Sequence, residues 1–91
     1  MSTREELNLG NFIWAHRVGE EMTQVEFAKL LGISKQRLCD IEKNRGNLSI
    51  KMCKTLADKL GFSRSWFVQL EFEYQFKKEG LNLEIQSISE K

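Results

Sequence analysis

The sequence predicts an all-α domain of five short helices, with an extended last helix and a short strand-like tail at the C-terminus. Apolar residues recur at intervals of three or four, which is typical of helices that bury one face. A serine or threonine stands before four of these segments, and a glycine follows three of them. The chain has 91 residues and no proline, so we expect one small domain with an appended C-terminal segment.

The first helix is expected near residues 7–20. Leu9, Ile13 and Arg17 stand four positions apart, with Phe12 beside them, so this helix has one apolar face. Arg17 therefore lies on the same face as two residues of the expected core.

The second and third helices are expected to follow each other across a short turn. Thr23 and Glu26 have the spacing of a capping box, in which each side chain binds the backbone N–H of the other residue. Gly32 can end the second helix in a left-handed conformation, and Ser34 can cap the third. The inward residues are then Phe27, Ala28 and Leu31 in the second helix, and Leu38 and Ile41 in the third.

The fourth and fifth helices are bounded in the same way. Ser49 caps the fourth and Gly61 closes it, whereas either Ser63 or Ser65 opens the fifth, which runs to Gly80. After Gly80, apolar residues alternate with polar ones, a period of two that is typical of a strand. The apolar residues of this tail are Leu81, Leu83 and Ile85.

The charge of the chain is unevenly distributed. Residues 1–34 carry three basic and five acidic groups, residues 35–64 carry eight and three, and residues 65–91 carry three and five. The net charges of −2, +5 and −2 add up to the total of +1. A basic middle third suits a polyanion on one side of the protein, although a solvated charged face would give the same pattern.

Several function classes have little support in the sequence. Cys39 and Cys53 lack metal-ligand spacing, His16 has no acid or thiol at catalytic spacing, and there is no glycine-rich phosphate loop. We therefore expect no metal, no cofactor and no enzymatic activity. No apolar run approaches the roughly 20 residues of a membrane span, and no signal peptide is recognisable, so a cytoplasmic location is expected.

The third helix has the character of a DNA-reading helix. With Leu38 and Ile41 pointing inward, its outward side carries Lys35, Gln36, Arg37 and Asp40. Two helices joined by a short turn form a helix-turn-helix, whose second helix places its first turn against base edges in the major groove. Glutamine and arginine there can form paired hydrogen bonds with adenine and guanine, and the N–H groups near Ser34 favour phosphate.

The same residues resemble the Xre family of helix-turn-helix regulators, which includes phage repressors and Cro proteins. The resemblance covers roughly residues 8–68 and implies a repressor-like fold and binding to double-stranded operator DNA. The matching residues are Arg17, Met22, Thr23, Gln24, Phe27, Ala28, Leu31, Gly32, Ile33, Ser34, Leu38, Ile41, Glu42, Arg45, Leu56, Ala57, Leu60 and Gly61.

The resemblance also implies a role for individual side chains. Base-reading positions of the family are matched by Lys35, Gln36 and Asp40, with Arg37 beside them. Gln24 matches a position that typically contacts a phosphate or the flanking bases, and Lys43 and Arg45 match positions that contact the DNA backbone. A partly buried ion pair between the first and third helices is matched by Arg17 and Glu42.

Asp40 departs from the expectation of a basic surface, and two interpretations are open for it. Its carboxylate could accept a hydrogen bond from cytosine in the major groove. It could instead pair with Lys43 or Arg37 and read no base.

We expect the DNA-binding unit to span residues 7–68, and residues 69–91 to serve dimerisation or partner binding. The fifth helix carries more aromatic residues than one buried stripe can hold, so either they shield the first helix or they form a contact surface. The candidate contact residues are Trp66, Phe72, Tyr74, Phe76, Leu81, Leu83 and Ile85.

Two partners fit this C-terminal segment. A second copy is expected, because such domains read two half-sites as a symmetric dimer. Short members of the family with an extended last helix resemble antitoxins of type II toxin–antitoxin pairs, which repress their own operon and bind a small toxin. A stand-alone phage-like repressor and an adaptor that has lost DNA binding are the alternatives.

Overall fold

The computed structural model describes residues 6–80, and all five predicted helices are present. The first is α1, which spans Leu9–Gly19, and the others follow in chain order. They are α2 (Gln24–Leu31), α3 (Lys35–Glu42), α4 (Ile50–Leu60) and α5 (Arg64–Lys78). The tail with Leu81, Leu83 and Ile85 lies outside the described residues, so its predicted strand-like character stays a prediction.

Each helix begins at a residue whose side chain binds a free backbone N–H group of the first turn. In the capping box, the N–H of Glu26 donates to Thr23 Oγ1 at 3.1 Å, and the N–H of Thr23 donates to Glu26 Oε1 at 2.9 Å. Ser63, rather than Ser65, caps α5. The cap of α1 is Asn8, whose Oδ1 accepts from the N–H of Asn11 at 2.8 Å, so this helix begins two residues later than predicted.

One core holds the helices together. It contains buried residues from all five helices and from the loop before α4: Leu9, Ile13, Phe27, Ala28, Leu31, Leu38, Ile41, Leu48, Cys53, Leu56, Ala57, Phe67 and Leu70. Burial of the leucine, isoleucine and phenylalanine side chains among them contributes about 1.5–3 kcal/mol each, which is the main term stabilising a domain of this size. The middle of α5 belongs to this unit, because Leu70 and Glu71 are buried beyond residue 68.

An aromatic cluster covers one side of the core between α1 and α5. The ring of Trp66 meets that of Phe12 edge-on, with 4.9 Å between centroids, and Phe62 meets Phe12 in the same way at 5.1 Å. Edge-to-face pairs of this kind are favourable beyond the area they bury. Trp66 therefore packs against the first helix. This agrees with the interpretation that aromatic residues of the fifth helix shield the first helix.

Helix α1 approaches the end of α3 very closely at Gly10. A Cβ atom at this position would overlap the carbonyl oxygen of Ile41 and the side chain of Asn44. Asn44 itself has a left-handed backbone, with φ at 60°, and its amide donates to Asn11 Oδ1 at 3.0 Å. Glycine and asparagine together thus let α1 lie directly against the residues that follow α3.

Candidate nucleic-acid interface

The turn between α2 and α3 is held by backbone hydrogen bonds. Gly32 ends α2 with φ at 76°, a conformation that glycine adopts without strain. The N–H of Ile33 donates to the Ala28 carbonyl at 3.0 Å, and that of Gly32 donates to Lys29 at 3.1 Å. Ser34 then caps α3 by accepting from the N–H of Arg37. These hydrogen bonds within the turn fix the orientation of α3 relative to α2.

Helix α3 has one buried and one exposed side. Leu38 is fully buried and Ile41 nearly so, which anchors the helix to the core. Lys35 and Gln36 are exposed, and Arg37 and Asp40 are half-buried. The polar groups predicted to face DNA therefore share the outward side of a helix whose other side is fixed.

A small polar network covers the outward side of α3. The amide nitrogen of Gln36 donates to Asp40 Oδ1 at 3.1 Å, and an Arg45 guanidinium nitrogen lies 3.4 Å from the same oxygen. The sequence suggested Lys43 or Arg37 as the ion-pair partner of Asp40, and both suggestions were wrong because the chain after α3 turns back. The N–H of Arg45 donates to the Asp40 carbonyl at 2.9 Å, which brings Arg45 beside the carboxylate.

The predicted pair of Arg17 and Glu42 is present and nearly buried. Arg17 Nε lies 2.6 Å from Glu42 Oε2, and Arg17 Nη2 lies 3.0 Å from Glu42 Oε1. A third bond runs from Arg17 Nη1 to the Met22 carbonyl at 2.9 Å. The hydrogen bond with Glu42 raises the pKa of Arg17, and the paired geometry is the strong form of such a contact. The pair joins α1, the α1–α2 turn and the end of α3.

Gln24 contributes to the same group of contacts. Its amide nitrogen donates to Glu42 Oε1 at 3.0 Å, and the side chain is half-buried. The residue predicted to contact phosphate is therefore bonded to the structural ion pair. This bond ties the start of α2 to the end of α3.

The loop after α3 carries the remaining predicted contacts. Lys43 caps the C-terminus of α3, and both Lys43 and Arg45 are exposed. The loop changes direction at two left-handed residues, Asn44 and Gly46, with φ at 60° and 71°. Two exposed cations thus lie in the loop directly after α3, and their predicted phosphate contacts stay a prediction.

Side chains of α5 hold the far end of this loop. Glu71 Oε2 accepts from the backbone N–H of Leu48 at 2.9 Å, and Gln75 donates to the Leu48 carbonyl at 3.1 Å. Lys78 donates to Asn47 Oδ1 at 2.8 Å. These three residues were not predicted from the sequence. Their spacing of four and three places them on one side of a helix, but it does not show what that side contacts.

The comparison with protein families shows to which family this helical domain belongs. A family model described as helix-turn-helix matches residues 16–67, which is more than half of the chain. The protein belongs to the Xre-type helix-turn-helix family. The matched residues run from α1 to the first turn of α5, and so include the predicted DNA-contacting residues and the pair of Arg17 and Glu42, but not Glu71, Gln75 and Lys78 of α5.

This member of the family also has a structural neighbour. A crystal structure from Nostoc punctiforme PCC 73102, named as a candidate antidote protein of a plasmid maintenance system, has the same fold with a TM-score of 0.74. The two chains are 18% identical, and the similarity covers 92% of this chain and 87% of the other. No curated protein sequence matches this helix-turn-helix chain.

The described residues beyond the family match are mainly the rest of α5. Of its aromatic residues, Phe72 and Tyr74 are half-buried and Phe76 is 41% exposed. Phe76 is therefore the most accessible of the predicted contact residues within residues 6–80. In that described part of this helix-turn-helix protein, no helix is long and apolar enough to cross a membrane, and no three potential ligands are grouped to hold a metal ion.

Proposed function

We propose that the protein is a sequence-specific DNA-binding transcriptional repressor whose third helix enters the major groove. The observation that carries this proposal is the combination of a polar outward side of α3 with the rigid attachment of its other side. Leu38, Ile41 and the contacts of Glu42 hold the helix from behind. One misread base pair costs only about 1–3 kcal/mol, so a loosely attached helix would lose its power to discriminate.

Within this proposal the residues of α3 have distinct roles. Gln36 and Lys35 read bases from the first turn of the helix, and Arg37 lies beside them. Asp40 orients Gln36 and Arg45 through its hydrogen bonds before DNA arrives. This arrangement reduces the side-chain freedom that is lost on binding.

The phosphate contacts surround this reading surface. Ser34 presents the N-terminus of α3, where partial positive charge favours an anion. Lys43 and Arg45 contact the backbone from the loop after α3, and Gln24 contacts it from α2 while remaining tied to Glu42. These groups hold the protein in register without reading sequence.

We further propose that the protein acts as a homodimer and as the antitoxin of a type II toxin–antitoxin pair that represses its own operon. The shared fold with the candidate antidote protein from Nostoc punctiforme supports the antitoxin role. Phe76, near the end of α5, is the exposed aromatic residue at which we place the contact with a protein partner, either a second copy or a small toxin.

Titration of the wild-type protein with the DNA upstream of its own gene tests the repressor function. We expect binding that is tighter than to scrambled DNA and that weakens steeply with salt. Equal binding to both DNAs, or none, would contradict it. Co-expression with the product of the neighbouring reading frame tests the antitoxin role separately, because a toxin partner should co-purify.

A further inference from the structure

We propose that Glu71 and Gln75 of α5 are positioning residues for the DNA-contacting loop, defined here as residues 43–48. The inference rests on the proposed DNA-binding function and extends it to residues beyond the end of the family match at residue 67. Both backbone polar groups of Leu48, the last residue of the loop, are bound by these two side chains.

Glu71 is placed where it can fix a backbone group firmly. Its side chain is only 5% exposed, and a carboxylate in such a position is costly unless its oxygens accept hydrogen bonds. Oε2 accepts from the Leu48 N–H at 2.9 Å and from the Gln75 amide at 2.6 Å. Because both donors are needed by the carboxylate, a displacement of Leu48 would leave a buried charge with one bond fewer.

Gln75 completes the attachment from the next turn of the helix. Its amide nitrogen reaches the Leu48 carbonyl at 3.1 Å and Glu71 at the same time. The side chain of Leu48 is itself buried in the core. Leu48 is thus held by its side chain, its N–H and its carbonyl.

The loop is consequently fixed at both ends. At its start, the N–H of Lys43 donates to Cys39 and that of Arg45 donates to Asp40, which continues the backbone contacts of α3. At its end stands Leu48, held by α5. Between these two attachments the chain passes through Asn44 and Gly46, which have left-handed backbones. If one attachment is lost, the loop can adopt more conformations.

Lys78 adds a weaker contact to the same loop. Its ammonium group donates to Asn47 Oδ1 at 2.8 Å and lies 5.1 Å from the centre of the Tyr74 ring. The group is exposed and charged, so its removal would also change the electrostatic attraction to DNA. Gln75 is the better test, because it carries no charge, and its replacement removes the bonds to Leu48 and Glu71 without changing the electrostatic attraction to DNA.

The experiment compares Gln75→Ala with Gln69→Ala on the same helix. Gln69 is exposed and donates to Glu73 at 2.9 Å, so its replacement removes a similar bond that does not involve the loop. Both variants and the wild type are titrated with upstream and scrambled DNA at several salt concentrations. Amide hydrogen exchange is followed at Leu48 and in the rest of the loop.

We expect Gln75→Ala to bind both DNAs about tenfold more weakly, as the loss of one or two net hydrogen bonds implies. The slope of log affinity against log salt should fall by about one unit, because a loosened loop gives up a phosphate contact. Exchange at Leu48 should become faster. Gln69→Ala should match the wild type in all three measurements.

Wild-type affinity and salt slope in Gln75→Ala would overturn the positioning role while leaving the proposed function intact. Unchanged exchange at Leu48 would overturn it as well, since the attachment would not depend on Gln75. Failure of the wild-type protein to bind either DNA would be a different result, because it would overturn the proposed function itself.

Discussion

Glu42 is the residue on which most of the contacts behind α3 converge. It is 1% exposed and accepts hydrogen bonds from Arg17 on α1 and from Gln24 on α2. A buried carboxylate of this kind does not add much stability compared with an apolar residue of the same shape, but its removal leaves a charged partner unsatisfied. The main role of the pair of Arg17 and Glu42 is therefore to fix the position of α3 against α1.

Replacement of Glu42 by alanine tests this view. We expect Glu42→Ala to lower the free energy of unfolding by about 3–5 kcal/mol, because Arg17 loses two hydrogen bonds in a largely buried position. Urea denaturation measures the change. The matched control is Asp58→Ala, which breaks the exposed pair of Asp58 with Arg64 at 2.8 Å and should leave the midpoint nearly unchanged. Equal midpoints for the two variants would contradict the expectation.

At the scale of single residues, the sequence predicted one ion pair correctly and missed the partners of two other side chains. The Arg17–Glu42 pair was expected because the family pattern links two specific positions. The partner of Asp40 was missed because it depends on the path of the loop, which only the folded chain defines. Gln24 was expected to be available for phosphate, yet it is bonded to Glu42, 18 residues away in the chain.

The helices were the best predicted elements, since their signals are local. Thr23, Ser34, Ser49 and Ser63 each satisfy an N–H three residues later, so the information is contained in one turn. Asn8 fills the same role for α1 and was not singled out. The attachment of α5 to Leu48 could not be predicted, because Glu71 is 23 residues away and no local rule connects the two.

Because α1 contacts the end of α3 at Gly10 but not at Gly19, replacing these two glycines with alanine should change the stability in opposite directions. Gly10→Ala should destabilise the protein by about 1–3 kcal/mol, because the added methyl group overlaps the Ile41 carbonyl and Asn44. Gly19→Ala, at the end of the same helix, meets nothing within 4 Å and should stabilise it slightly, by up to about 1 kcal/mol. Thermal denaturation distinguishes the two, and a stabilised Gly10→Ala protein would contradict the close packing.

At the scale of the whole molecule, α5 connects the two functions that we propose. Its first turns lie in the core, its middle holds the DNA-contacting loop, and its end exposes Phe76. The predicted boundary at residue 68 lies within this helix, while the segment 69–91 stays a prediction as a partner-binding region. A sequence cannot show such overlap, because burial of residues beyond 68 depends on how α5 crosses the other helices.

The dimer is tested most simply at Phe76. We expect Phe76→Glu to convert a dimer into a folded monomer, because a charge placed in an apolar contact is left without a partner. Sedimentation measures the mass, and thermal denaturation checks the fold. Leu30→Glu is the control, because Leu30 is similarly exposed, at 48%, but lies on α2 outside the predicted contact surface. A Phe76→Glu protein that is still dimeric would place the interface elsewhere.

The central claim is that α3 reads bases while the loop after it holds phosphates. The most direct measurement is the titration of Gln36→Ala and Lys43→Ala with upstream and scrambled DNA. We expect Gln36→Ala to lose about 1–3 kcal/mol of binding free energy on the upstream DNA alone. Lys43→Ala should weaken binding to both DNAs and lower the salt slope by about one unit. Equal weakening of both DNAs by Gln36→Ala would contradict it.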